Sequence, residues 1–163
     1  MLRVQKRKRK KEPTNVFLVS ACLLGVDCKY NGKNNLNDML IKLSDKYQFI
    51  PVCPEQLGGF STPRPKAEIV CEDLAKGIIR VVRESGEDIT KHFKNGACQV
   101  LKIANLMKVK KVILKEKSPS CGVYKIYDGS FSGKLIDGSG VTTELLKENG
   151  IEVFNEYELE KLL

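Results

Sequence analysis

Lys111-Val112-Ile113-Leu114-Lys115, followed closely by Ser118-Pro119-Ser120-Cys121-Gly122, is the stretch from which the fold can be read. Its first five residues place β-branched and apolar side chains between two lysines, the pattern of a short buried strand. Pro119 then stops regular pairing, and Gly122 lets the backbone pass close to whatever Cys121 holds. The arrangement recurs at Phe17-Leu18-Val19-Ser20-Ala21-Cys22 and at Phe49-Ile50-Pro51-Val52-Cys53-Pro54-Glu55. In an open parallel sheet, ligands bind outside the carboxyl ends of the strands, so Cys22, Cys53 and Cys121 are expected at one site.

Working outward, strands are expected at about 16–22, 48–53, 111–115 and 151–154. Asn34 or Asn35 is expected to cap a helix whose apolar face is Leu36, Leu40, Leu43 and Tyr47. Gly58-Gly59 and Thr62-Pro63-Arg64-Pro65 read as a loop. Ile69–Cys71 and Ile78–Val82 alternate as a hairpin turning through 72–77, with Cys71 read as core. Thr90 opens a helix to about Val109, with a core stripe of Phe93, Ala97, Val100, Leu101, Ala104 and Met107. Lys125–Ile136 reads as a polar hairpin with its turn near Asp128-Gly129. Val141–Asn149 is a helix stopped by Gly150, and a last helix starts at about Glu156. Helices between short apolar strands predict an α/β fold, a single three-layer domain with a mainly parallel, Rossmann-like sheet over residues 15–163.

A chain of 163 residues suits one domain. The net charge of +8 is unevenly spread. Seven basic residues among the first eleven, against Glu12, account for +6 of it and leave residues 13–163 at about +2. Residues 1–14 are expected to be a disordered basic tail, with contact to nucleic acid or an anionic membrane surface as the alternative. Val-Ser-Ala-Cys at 19–22 imitates a lipidation signal, yet Pro13, Thr14 and Asn15 leave too short an apolar stretch before it. No stretch approaches the roughly 18 apolar residues of a spanning helix. The expected location is cytoplasmic, where thiols stay reduced, so six cysteines argue for metal or chemistry before disulfides.

His92 is the only histidine and no Cys-x-x-Cys occurs, which argues against a zinc ribbon, a thioredoxin-type pair or multi-histidine zinc hydrolysis. Three thiolates suit an iron–sulfur cluster. A four-iron cluster on three cysteines keeps one iron open as a Lewis acid. Glu55, two residues past Cys53, is a candidate general base. Ser118 and Ser120 could bond to sulfur or substrate, and Tyr30 and Arg64 could face the pocket. Cys28 could join the three thiols but lacks their strand-end position, and Cys98 lies off the apolar stripe.

Ser20-Ala21-Cys22-Leu23-Leu24-Gly25, Pro51-Val52-Cys53-Pro54-Glu55, Thr62-Pro63-Arg64-Pro65 and Ser118-Pro119-Ser120-Cys121-Gly122, in this order, resemble the thiouracil desulfidase family, formerly a domain-of-unknown-function group. The resemblance runs from residue 16 to about 157 and includes Tyr127–Gly133. It implies a 4Fe–4S cluster on Cys22, Cys53 and Cys121 and non-redox desulfuration of 2-thiouracil or a related small thiocarbonyl compound, with release of sulfide. It also implies that Glu55 activates water and that a serine of the Ser118–Cys121 motif, either Ser118 or Ser120 with Ser118 preferred, positions substrate or water. Lys29-Tyr30-Asn31-Gly32 departs from the family's Arg-Tyr-Asp-Gly. Two rivals are a sulfur carrier for tRNA thio-modification, with the tail on RNA, and a structural zinc module.

Overall fold

The computed structural model describes residues 15–73 and 78–162. In chain order the elements are β1 (Val16–Ser20), α1 (Asp38–Leu43), β2 (Gln48–Val52), α2 (Pro54–Leu57), β3 (Ala67–Asp73), β4 (Ile78–Arg83), α3 (Thr90–Leu106), β5 (Lys111–Leu114), β6 (Lys125–Tyr127), β7 (Leu135–Asp137), α4 (Val141–Glu148) and β8 (Glu152–Asn155). Short 3-10 turns occupy Ala21–Leu24 and Leu159–Leu162. The basic tail and the β3–β4 turn lie outside the described residues.

β2, β1, β5 and β8 form the central sheet in that order, and every pairing in it is parallel. Because side chains alternate across a strand, a sheet covered on both faces needs uninterrupted apolar runs. β1 and β5 supply them. Leu18, Val112 and Leu114 pack on one side with Val100 and Ala104 of α3 and Leu146 of α4. Phe17, Val19 and Ile113 pack on the other with Leu40 and Leu43 of α1 and Leu159. The result is the expected three-layer α/β arrangement. Each fully buried aliphatic side chain here contributes on the order of 1.5–3 kcal/mol.

Chain order reverses between β1 and β5: β2 lies to one side of β1, and the later strands lie to the other. That is the switch point at which such sheets open a crevice at their carboxyl ends. Two antiparallel pairs, β3–β4 and β6–β7, accompany the sheet. They share a small core of Ile69, Val81, Ile126 and Phe93.

Several local expectations are corrected. The first helix is capped by Asn37, whose Oδ1 accepts from Met39 and Leu40 N–H, and Leu36 lies before it, exposed. Met107 is also exposed, because α3 ends at Leu106 and Lys108 turns the chain at φ +54°. Cys71 is exposed rather than core; the β3–β4 register shifts between Cys71 and Asp73, where a bulge interrupts the two-residue alternation. The last helix is only the 3-10 turn at 159–162. α2 is an additional short helix with Pro54 in its first turn, where the missing N–H costs nothing. It packs unusually close to α3: a Cβ on Gly96 would lie 2.0 Å from Pro54 O, and one on Gly58 2.4 Å from His92 O. Only glycine permits that approach.

Candidate functional site

The crevice at the switch point is a cavity of about 450 Å³. Cys22, Cys53 and Cys121 all line it, but by three different local devices. Cys22 is in the 3-10 turn after β1, and Cys53 caps the N-terminus of α2. Cys121 lies well past the end of β5, in a loop that folds back on itself. Ser118 Oγ accepts from the N–H groups of Ser120 and Cys121, each at 3.1 Å, and Gly122 N–H bonds to Ser118 O at 2.8 Å. Gly122 therefore serves the loop's own backbone: a Cβ there would meet Ser118 O and Lys125 O at 2.8 Å.

α4 and Glu116 fix that loop from two sides. Thr142 N–H donates to Ser120 O, and Thr143 Oγ1 donates to Cys121 O at 2.8 Å. Glu116 is buried, and its Oε1 accepts from the N–H groups of Val123, Tyr124 and Lys125 at 3.0, 3.1 and 2.9 Å. Its Oε2 accepts from the Asn155 amide. Desolvation works against its charge, but these donors outweigh it and hold its carboxyl below the usual range. Beside it, Lys115 Nζ pairs with Glu156 at 2.6 Å. Glu116 and Lys115 escaped the sequence reading because an isolated Lys-Glu pair after a strand looks like solvated surface.

Glu55 lines the cavity and pairs through Oε2 with Arg64 Nε at 2.5 Å. Arg64 also lines it, but its donors are committed: Nη2 to Cys28 O at 2.9 Å, and Nη1 to Ser61 O and Thr62 Oγ1. It thus ties the Glu55 carboxylate to the loop carrying Cys28. Ser118 and Tyr30 line the cavity too. Ser120 does not; it is buried, and its hydroxyl pairs with Thr142 Oγ1 at 2.9 Å. His92 stays outside, bracing α2 through Nδ1 on Gly58 O at 3.0 Å. Cys98 is exposed.

Cys28, left open by the sequence, is brought to the same cavity and is 2% exposed. Its thiol, beside those of Cys22 and Cys53, is the largest influence lowering both of their pKa values, Cys53 to about 6, and Cys53 Sγ lies 3.9 Å from Cys28 O. The same two neighbours raise the pKa of Cys28 itself. Cys121 is raised chiefly by burial, against a hydrogen bond from Ser20. Iron binding would displace the proton from each ligand thiol, so loading releases protons.

Among the described residues, no three Cys, His, Asp or Glu side chains converge on one metal ion. Cys22, Cys53 and Cys121 on one cavity of about 450 Å³ offer the soft thiolate donors that an iron–sulfur cluster takes. The thiols on one cavity therefore fit a cluster. No helix among the described residues is long and apolar enough to cross a membrane.

Comparison with known proteins gives three matches. The family model described as 2-thiouracil desulfurase matches residues 17–158. The uncharacterized protein YbbK of Bacillus subtilis (strain 168) is 48% identical over 151 residues, covering 91% of this chain and 100% of YbbK. A solved structure of TudS, a [4Fe-4S]-dependent thiouracil desulfidase, is 39% identical, covering 91% of this chain and 95% of its own, with a TM-score of 0.82.

Proposed function

Because the chain belongs to the 2-thiouracil desulfurase family, we infer that it removes sulfur from 2-thiouracil or a related small thiocarbonyl compound, without net redox change. The reaction is the exchange of C=S for C=O: one water enters and hydrogen sulfide leaves. The observation that carries this reading is the meeting of Cys22, Cys53, Cys121 and Glu55 on one cavity at the switch point of the sheet.

Cys22, Cys53 and Cys121 hold the 4Fe–4S cluster, which when bound supplies an iron without a protein ligand as Lewis acid for the thiocarbonyl sulfur. Glu55 takes the proton from the attacking water. Arg64 occupies its Oε2, and Oε1 takes no hydrogen bond among the described residues, so one oxygen is fixed and the other is left for water. Ser118 Oγ already accepts two backbone N–H groups, so its own proton remains to donate to substrate or water. Arg64 orients the base rather than binding substrate, and Ser120 supports the Cys121 loop.

Anaerobic reconstitution followed by iron and sulfide analysis and a 2-thiouracil turnover assay tests this. The expected result is about four irons and four sulfides per chain, lost on alanine substitution of any of the three ligand cysteines, with uracil and sulfide as products. Glu55→Gln should keep the cluster and lose turnover by about 10²–10⁴-fold. Full activity in that variant would remove Glu55 from the mechanism.

A further inference from the structure

Neither Glu55 nor the cysteines account for the part of the cavity lined by β3 and the β6–β7 hairpin. Tyr127, Phe131 and Gly133 line it there, together with Glu68 of β3. Glu68 is only 7% exposed. Its Oε2 accepts from the backbone N–H groups of Gly129 and Phe131, both at 3.0 Å. These bonds hold an unusual loop. Phe131 sits at φ +57°, where side chains other than glycine are uncommon, and a Cβ at Gly129 would meet Ile69 O at 2.8 Å. The loop is thus pressed against β3, with two aromatic residues at the cavity.

The second oxygen of Glu68, Oε1, takes no hydrogen bond among the described residues. Glu68 lines the cavity and its Oε1 is not closed off from solvent, so this oxygen is open to accept from a donor that arrives with the ligand. A cyclic thioamide carries such a donor, the ring N–H next to the thiocarbonyl carbon. Its flat ring also matches the aromatic surface of Tyr127 and Phe131.

We propose that Glu68 determines specificity by accepting a ring N–H of the substrate, which restricts turnover to cyclic thioamides bearing an unsubstituted N–H. This rests on the desulfidase reading above and adds the feature by which the substrate is recognised. Its consequence is a selectivity independent of the sulfur chemistry: a site built to accept an N–H rejects the analogue that lacks it.

The test compares kcat/KM of the reconstituted enzyme for 2-thiouracil, 1-methyl-2-thiouracil and 3-methyl-2-thiouracil, in wild type and in Glu68→Gln, with iron content measured alongside. Calorimetric binding of uracil and of its 1-methyl and 3-methyl derivatives gives a second readout that needs no turnover. At least one N-methylation should cost wild type about 10–100-fold in both measurements, the loss of one charge-assisted hydrogen bond. In Glu68→Gln the amide oxygen keeps Gly129 and Phe131 N–H, and the amide N–H₂ replaces the free acceptor. The preference should then shrink to within about threefold. A residue that only held the loop would weaken all ligands alike and leave their ratio unchanged, which would overturn the proposal. So would wild type that treats methylated and unmethylated ligands equally, a result that needs no variant. Iron-loaded wild type with no turnover of any thio-compound would refute the desulfidase reading instead, while the uracil series would still decide the role of Glu68.

Discussion

Gly96→Ala should impair the chemistry from a position outside the cavity lining. The new Cβ would lie 2.0 Å from Pro54 O, 2.9 Å from Pro54 C and 3.2 Å from Gly58 N, with no flexible side chain to yield. Restoring an ordinary contact near 3.4 Å moves α2 away from α3 by about 1.4 Å. Pro54 stands between Cys53 and Glu55, so the displacement passes directly to the proposed cluster ligand and the proposed base. Misplacing a catalytic group by about 1 Å costs on the order of 10²-fold. Overpacking should also lower stability by about 1–3 kcal/mol, or a Tm lower by about 2–12 °C for a domain of this size. The assay is 2-thiouracil turnover per iron-loaded chain, with scanning calorimetry on the same samples. Lys94→Ala, on the exposed side of the same helix, is the control and should change neither. A Gly96→Ala enzyme with full iron and a rate within threefold of wild type would refute the link between the α2–α3 contact and the site.

Other predictions concern single groups. The folded-state pKa of Glu116 is depressed, so its contribution to stability is complete above the ordinary carboxylate range and is lost as pH falls through the lower folded value. Glu116→Gln should therefore flatten the acid side of a Tm-against-pH curve; an unchanged acid limb would contradict this. In the cluster-free protein, Cys28→Ala removes the thiol that contributes most to lowering Cys53 to about 6. The alkylation midpoint of Cys53 should move towards 9, with a lower rate at pH 7, measured by mass spectrometry of iodoacetamide-treated samples. The two serines should separate in activity: Ser118→Ala is expected to lower kcat and, by leaving the Ser120 and Cys121 N–H groups without their acceptor, to lower Tm as well. Ser120→Ala, by leaving a buried Thr142 hydroxyl without its partner, should cost about 1–3 kcal/mol and little activity per folded chain.

The central sheet was legible because strands covered on both faces must be continuously apolar, and Phe17–Val19 and Val112–Leu114 are. The strand-end position of the cysteines was legible for the same reason, although Cys121 reaches the cavity through a folded loop. The α3 stripe read correctly through Ala104 and failed at Met107, where chain reversal at Lys108 depends on backbone geometry that side-chain periodicity does not report. Cys71 failed through the register shift beside it. The less visible part of the site consists of charged residues buried by partners distant in sequence. Glu68 is satisfied from positions 129 and 131, and Glu116 from 123–125 and 155. Cys28 belongs here too, since only the Arg64 bridge to its carbonyl shows that its loop is tied to Glu55.

The cysteine pocket draws on segments far apart in the order of synthesis. Cys22, Cys28 and Cys53 leave the ribosome early, but Cys121 comes later, and its loop is braced by α4 and by Asn155 and Glu156 at the end of β8. At about 5–20 residues per second, some 5–20 s separate Cys53 from Asn155. For roughly the first two-thirds of that interval Cys121 itself has not emerged, and until Asn155 follows, its loop lacks part of its bracing. A pocket lined by Cys22, Cys53 and Cys121 with its loop fully braced is therefore complete only after β8 has been released.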